Sequence, residues 1–140
     1  GTVLIPTLMA FKGVTERLGQ GIYTPVVEDK IRAVADVART FMGKARNWGV
    51  PIAFGTDAGV FEHGRNAGEF ALMRAQGMTD REALASATTM AARVLEMENE
   101  IGRLAPGYSA DIIAVDGDPL ADVTVLEDVD WVMVRGRVIE

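Results

Sequence analysis

The sequence has no cysteine, which excludes disulfides and thiolate metal ligands and leaves the redox compartment unread. It has a single histidine, His63. A catalytic zinc normally takes about three protein ligands, so one His beside one carboxylate does not complete a centre. No stretch approaches the ~18 apolar residues of a membrane span. The first residues lack the basic start of a signal peptide, which leaves the compartment unassigned, with cytoplasmic as the expectation. Basic charge is also short: 14 Lys and Arg stand against 20 Asp and Glu, for a net charge of −6. Nucleic acid and anionic membranes both need basic patches, so neither is an expected partner. There is no glycine-rich phosphate loop after a strand, no Ser-His-Asp set in convincing context, no internal repeat and no low-complexity segment.

What is present suits a globular piece. The chain has 140 residues, 49% of them hydrophobic, enough for one domain with a real core. It starts at Gly1 rather than Met and enters directly on an apolar run, as expected of a cut piece or a processed product. That run, Gly1 to Phe11, reads as a strand buried on both faces, limited or ended by Pro6. Lys12 to Tyr23 reads as a loop with room for a short helical turn. Thr24-Pro25 starts a long amphipathic helix. Val27, Ile31, Val34, Ala38, Phe41, Ala45 and Trp48 share its face, and Gly49 ends it.

Val50 to Phe54 is a short apolar run that stops abruptly in Gly55-Thr56-Asp57-Ala58-Gly59. A loop carrying His63 follows. Asn66-Ala67-Gly68-Glu69 has the spacing of a capping box, opening a helix to about Gln76. Thr79-Asp80-Arg81-Glu82 is a second box, opening a helix through Leu84, Ala87, Ala91, Val94 and Leu95. The order strand, helix, strand, helix, helix suggests βα units and a parallel sheet. After Asn99 the texture changes to short β-rich runs punctuated by glycine and proline. Ala110 to Val115 is strand-like, and Trp131 to Val134 and Val138-Ile139 flank a hairpin turn at Arg135-Gly136.

Asp57 is the leading candidate for chemistry. A carboxylate where a buried strand emerges into a loop can bind a divalent metal through oxygen, or take a proton from an attacking water. Spacing alone favours the plainer role, capping a turn through its own backbone. His63 is open to the roles of ligand, proton shuttle, substrate contact or solvated loop residue. Glu69 reads as part of its cap. The seven Met residues read as core filling, and Asp116, Asp118, Asp122 and Asp128 as a solvated acidic surface.

Three segments carry a resemblance: GTDAG at Gly55 to Gly59, HGRNAGEF at His63 to Phe70, and IGRLAPGYSADIIAVDGDPL at Ile101 to Leu120. In that order the chain resembles the amidohydrolase superfamily, in the branch of imidazolonepropionase and the Xaa-Pro dipeptidase-like enzymes. The resemblance covers nearly all of the chain. It implies an α/β fold: residues 1–99 as the last βα units, strands 7 and 8, of a TIM-type (β/α)8 barrel, and residues 100–140 as the C-terminal part of a small β-sandwich. It implies hydrolysis of a C–N bond in an amide, cyclic amide or dipeptide by metal-activated water. Asp57 then becomes a metal ligand and the proton acceptor, and His63 a substrate-side residue. The cofactor is a divalent metal, one or two ions, with zinc expected. Asp111 is not a ligand by this resemblance, because its Ala-Asp pair closes a turn in the β element. Met90 departs from the family's pattern, in which Asn is common.

The family's other ligands, a His-x-His pair on the first strand, a lysine or glutamate on the fourth, and histidines on the fifth and sixth, have no counterpart here. The chain alone is therefore expected to be inactive. Two strands cannot close a barrel, so their edges and the inner face of helix 25–48 should be bare. Such a chain should pair with the rest of its own enzyme, associate with itself, or be partly molten. The other function class is a non-catalytic oligomerising or scaffold remnant of the same fold.

Overall fold

The computed structural model describes residues 1–139. Six helices and a small sheet follow one another along them: α1 (Leu8–Glu16), α2 (Pro25–Ala38), α3 (Phe41–Asn47), α4 (Gly68–Ala75), α5 (Asp80–Ala87), α6 (Thr89–Val94), then β1 (Ile112–Ala114), a 3-10 turn at Val123–Glu127, β2 (Trp131–Val134) and β3 (Arg137–Ile139). The two expected parallel strands meet at one point. Leu4 and Ile52 form a parallel bridge, in which the Leu4 N–H donates to the Pro51 carbonyl and the Ala53 N–H to the Leu4 carbonyl, both at 2.9 Å.

The apolar run at the start corrects the expectation of one strand through Phe11. Pro6 has no N–H to continue a ladder, and Thr7 turns the chain through a left-handed conformation at φ 47°. Leu8 to Phe11 then become the first turn of α1. Apolar runs this short do not distinguish a strand from a buried helix face. What holds the helix start is Glu69. Its carboxylate is fully buried and accepts from the Leu8 N–H at 2.8 Å and the Met9 N–H at 2.6 Å. These are two of the amides that a helix start leaves without partners, and a negative charge there is favoured by the helix dipole.

Glu69 is thus a cap, but for α1 and not for its own helix. The box expected at Asn66 to Glu69 does not form, and α4 has Ala67 at its N-cap with no side-chain bond. The second box does form. The Thr79 hydroxyl accepts from the Glu82 N–H at 3.2 Å, and the Thr79 N–H donates to the Glu82 carboxylate at 2.8 Å.

Two expected long helices are each broken in two. The first stops at Ala38 and restarts at Phe41; the Ala38 carbonyl accepts from the Gln76 side-chain amide at 3.0 Å instead. Gly49, at φ 76°, ends the pair as expected. The second breaks at Thr88 (φ −117°, ψ −90°) between α5 and α6. There the Ser86 carbonyl accepts from the Phe54 N–H at 3.1 Å, so the end of the strand takes an acceptor the helix would have used.

Two apolar clusters form the core. Leu8, Met42, Ile52 and Met73 make one; Phe70, Ala83, Val123 and Leu126 make the other, and Phe54 packs against both. The Phe54 and Phe70 rings lie 4.4 Å apart. The C-terminal portion is an antiparallel sheet in the order β1-β2-β3. Arg135 and Gly136, at φ 48° and 75°, make the expected hairpin turn, whose twist suits paired strands. Among the described residues no helix is long and apolar enough to cross a membrane.

Burial pushes the Glu69 carboxyl up to about 7 from an ordinary 4.5, against the pull of the Leu8 and Met9 amides. Between those pH values the folded chain keeps a proton that the unfolded chain has released. Its contribution to stability therefore falls as pH rises through this window and is flat above it. Glu69→Gln has no such titration. In urea unfolding of the full-length protein, the stability of the wild type relative to Glu69→Gln should drop by about 3 kcal/mol from the lower to the upper end of the window. A difference that stays constant over that range would contradict the assignment.

Candidate functional site

The bridging strand ends at Phe54, and the site is built on the loop that follows. A Cβ at Gly55 would sit 2.4 Å from the Ile5 side chain, so only glycine lets the two strand ends lie this close. Asp57 comes next but one, in the left-handed conformation at φ 54°. Asp tolerates that region better than most residues, and a residue held there reflects constraint from its surroundings.

Asp57 is exposed. Its backbone carbonyl accepts from the Val60 N–H at 3.3 Å, but its carboxylate does not cap that turn: among the described residues no hydrogen bond reaches the carboxylate. The loop is closed at its base by the Thr56 hydroxyl, which donates to the Asn66 side-chain carbonyl at 3.2 Å. Gly59, at φ 114°, makes the tight bend. Phe61 anchors the middle of the loop; it is only 2% exposed. It rests on α1 where a Cβ on Gly13 would meet the Phe61 Cβ at 2.8 Å.

A second tie joins the loop to α1. Arg65 reaches Glu16 at 3.0 Å and Glu62 at 2.9 Å, and Arg17 lies 3.5 Å from Glu62. Lys12 also pairs with Glu16. The Glu16 carboxyl is held below its ordinary value, chiefly by Lys12 and against some desolvation, with Arg65 adding to the pull. Glu62 is lowered first by a backbone N–H and then by Arg65. Exposed pairs of this kind contribute little individually; the two that cross from the loop to α1, Arg65–Glu16 and Arg17–Glu62, supplement the Phe61 contact.

His63 sits on the outer part of the same loop and is exposed. The fold places Asp57 and His63 on one loop without building a metal centre around them. Among the described residues no group of three or more His, Cys, Asp and Glu is arranged to hold an ion. Asp57 fits as one oxygen donor of a larger set, since it is accessible and unpartnered. The residues of this chain do not by themselves make a complete site.

Asp111 lies away from this loop and does what the resemblance implied. It accepts from the Arg135 N–H at 2.8 Å, with the Gly136 N–H donating to the Ala110 carbonyl beside it at 3.0 Å. The Ser109 hydroxyl, then the Arg135 N–H, holds its carboxyl below the ordinary range. The acidic surface is more ordered than expected. Asp118 accepts from the Leu120 N–H at 2.9 Å, and Asp122 from the Thr124 N–H at 3.1 Å and from Arg74 at 2.9 Å. The Glu69 clamp on α1 and the Arg65 tie were not foreseen. Each joins residues 49 to 61 apart in sequence, and no local spacing encodes such a pairing.

The chain matches the amidohydrolase family model over residues 23–139. It is similar over its whole length to a solved Xaa-Pro dipeptidase with methionine bound in the active site, at 38% identity and a TM-score of 0.94, covering 35% of that protein. It is 37% identical to an uncharacterised protein of Mycobacterium tuberculosis over 98% of this chain and 36% of that protein. A 5-methylthioadenosine/S-adenosylhomocysteine deaminase of Symbiobacterium thermophilum is 36% identical over 72% of this chain and 28% of its own length. The chain thus spans about a third of the length of the relatives it matches. With a family model covering most of its residues and a solved relative superposing end to end, the chain belongs to the amidohydrolase family.

Proposed function

We propose that this chain is the C-terminal portion of a metal-dependent amidohydrolase that cleaves a C–N bond in an amide, a cyclic amide or a dipeptide. The observation that carries this reading is the Asp57 carboxylate: exposed, without a hydrogen-bond partner among the described residues, and held at φ 54° just beyond the bridging strand. Open ends of strands in βα folds are where chemistry is placed. In this reading Leu4 and Ile52 mark strands 7 and 8 of a (β/α)8 barrel, and residues 100–140 complete a small β-sandwich.

Asp57 contributes one oxygen to a divalent ion, preferably zinc, whose other ligands lie outside this chain. Such an ion, when bound, acidifies a water for attack on a carbonyl. The Asp57 carboxylate takes up the proton that the water gives up. His63 contacts the substrate from the outer part of the loop. The likeness to a Xaa-Pro dipeptidase favours dipeptides over the other C–N substrates.

The rest of the same polypeptide is the proposed partner. Val26, Val34 and Val37 of α2 are exposed, Trp48 is 81% exposed, and Ile113, Val138 and Ile139 leave the small sheet half bare. An apolar surface on that scale marks a contact face. The 140-residue chain expressed alone should therefore associate or be partly molten. A folded, cooperative monomer of 15.0 kDa in sedimentation would overturn this part.

The decisive measurement uses the full-length protein. Metal content and hydrolysis of methionyl-proline are followed in the wild type, Asp57→Ala and Asp111→Ala. Asp57→Ala should lose bound metal and at least about a hundredfold in kcat, whereas Asp111→Ala should melt at lower temperature with metal and kcat retained. A wild type that is metal-free and inactive but well associated would favour the scaffold remnant instead.

A further inference from the structure

We propose that Glu69 is a positioning residue for Asp57, acting through α1; this rests on Asp57 being the site carboxylate. Two sets of contacts make the connection. On one side, α1 is held at its start by the two bonds from Glu69 to the Leu8 and Met9 amides. Packing there is close, since a Cβ on Gly68 would come within 3.0 Å of the Met9 sulfur. On the other side, the Asp57 loop is seated on α1. Phe61 lies against Gly13 with no room for a methyl group between them, and Arg65 bonds Glu16 at the far end of the helix.

The chain just before α1 supplies few backbone hydrogen bonds of its own, although Ile5 packs on Gly55 and Pro6 is fully buried. The preceding strand makes a single bridge at Leu4, Pro6 adds no donor, and Thr7 sits in the left-handed region at φ 47° with no cap bond from its side chain. A non-glycine residue persists there only when its surroundings over-determine it. The Glu69 carboxylate, bonded to the next two amides, does so together with the burial of Pro6, Leu8 and Met9. Gly13 lies five residues beyond Leu8, about 7.5 Å along the axis, so a pivot at the helix start is carried directly to the seat of Phe61. From there it reaches Asp57, four residues away across a bend held by the Gly59 and Val60 amides. A displacement of about 1 Å at a reacting group is enough to slow catalysis up to a hundredfold.

A plain helix cap would act on α1 alone, and this is what separates the two roles. The experiment uses full-length wild type, Glu69→Gln, Gly13→Ala and the double variant. It follows methionyl-proline hydrolysis, metal content and amide exchange by mass spectrometry. Glu69→Gln keeps the side chain's shape but turns an N–H group against the Met9 amide. Gly13→Ala pushes Phe61 off the helix without touching Glu69. Each single variant should lose about tenfold or more in kcat with KM changed less than about threefold. Each should also speed exchange in residues 57–66, with metal retained. The double variant should lose no more than the worse single one.

Faster exchange confined to residues 7–10 in Glu69→Gln, with kcat and residues 57–66 unchanged, would overturn the proposal. So would strictly multiplicative losses in the double variant. Should Glu69→Gln fail to fold, an unaltered kcat and loop exchange in Gly13→Ala would overturn it as well. A wild type without methionyl-proline hydrolysis would overturn the dipeptide preference of the proposed function, and the exchange comparison at residues 57–66 would still decide the coupling.

Discussion

The fold hangs on a carboxylate taken out of water and set against the open end of a helix. Glu69 is fully buried, its partners are backbone amides from a segment about sixty residues earlier, and burial weakens its acidity more than those amides restore it. A buried charge without a partner is costly. Two aligned amide donors at a helix N-terminus offset much of that cost. The arrangement tolerates few alternatives. Were either amide withdrawn, the carboxylate would lose one of its two hydrogen bonds; were the carboxylate removed, two buried N–H groups would be left bare.

Around this clamp the molecule is layered by helices instead of by strands. The parallel pairing contributes one bridge, while α1, α3 and α4 meet in the cluster of Leu8, Met42 and Met73. Phe54 connects that cluster to the second one under the 3-10 turn. Asp80 extends the connection by accepting from the Val123 N–H at 2.8 Å and pairing with Arg74 at 3.2 Å. The C-terminal portion is thereby joined to the helices that follow the Asp57 loop.

Much of this was legible where the signal is local. The Thr79 box, the Arg135-Gly136 turn and the stop at Gly49 depend on residues within a few positions of each other, and the structure has them. The family likeness was legible because the three segments keep their order. What was not legible depends on partners far away. Helix 25–48 carries an unbroken periodicity, yet the Ala38 carbonyl is claimed by Gln76. The helix after Thr79 is periodic too, and Phe54 claims its Ser86 carbonyl. Leu8 to Phe11 read as strand because nothing nearby shows that Glu69 will meet their amides. Asn66 and Glu69 have box spacing, but each side chain finds a better partner elsewhere, Thr56 for one and α1 for the other.

The lone bridge between Leu4 and Ile52 also bears on the order of folding. It closes a loop of nearly fifty residues, at an entropic cost of about 3 kcal/mol before any further ladder bond offsets it. The contacts that bury α1 are no more local, since Leu8 packs with Met73 and its amide meets Glu69, 61 residues on. Strand and helix at the start of the chain thus both wait on long-range closure, the slow kind of contact to form.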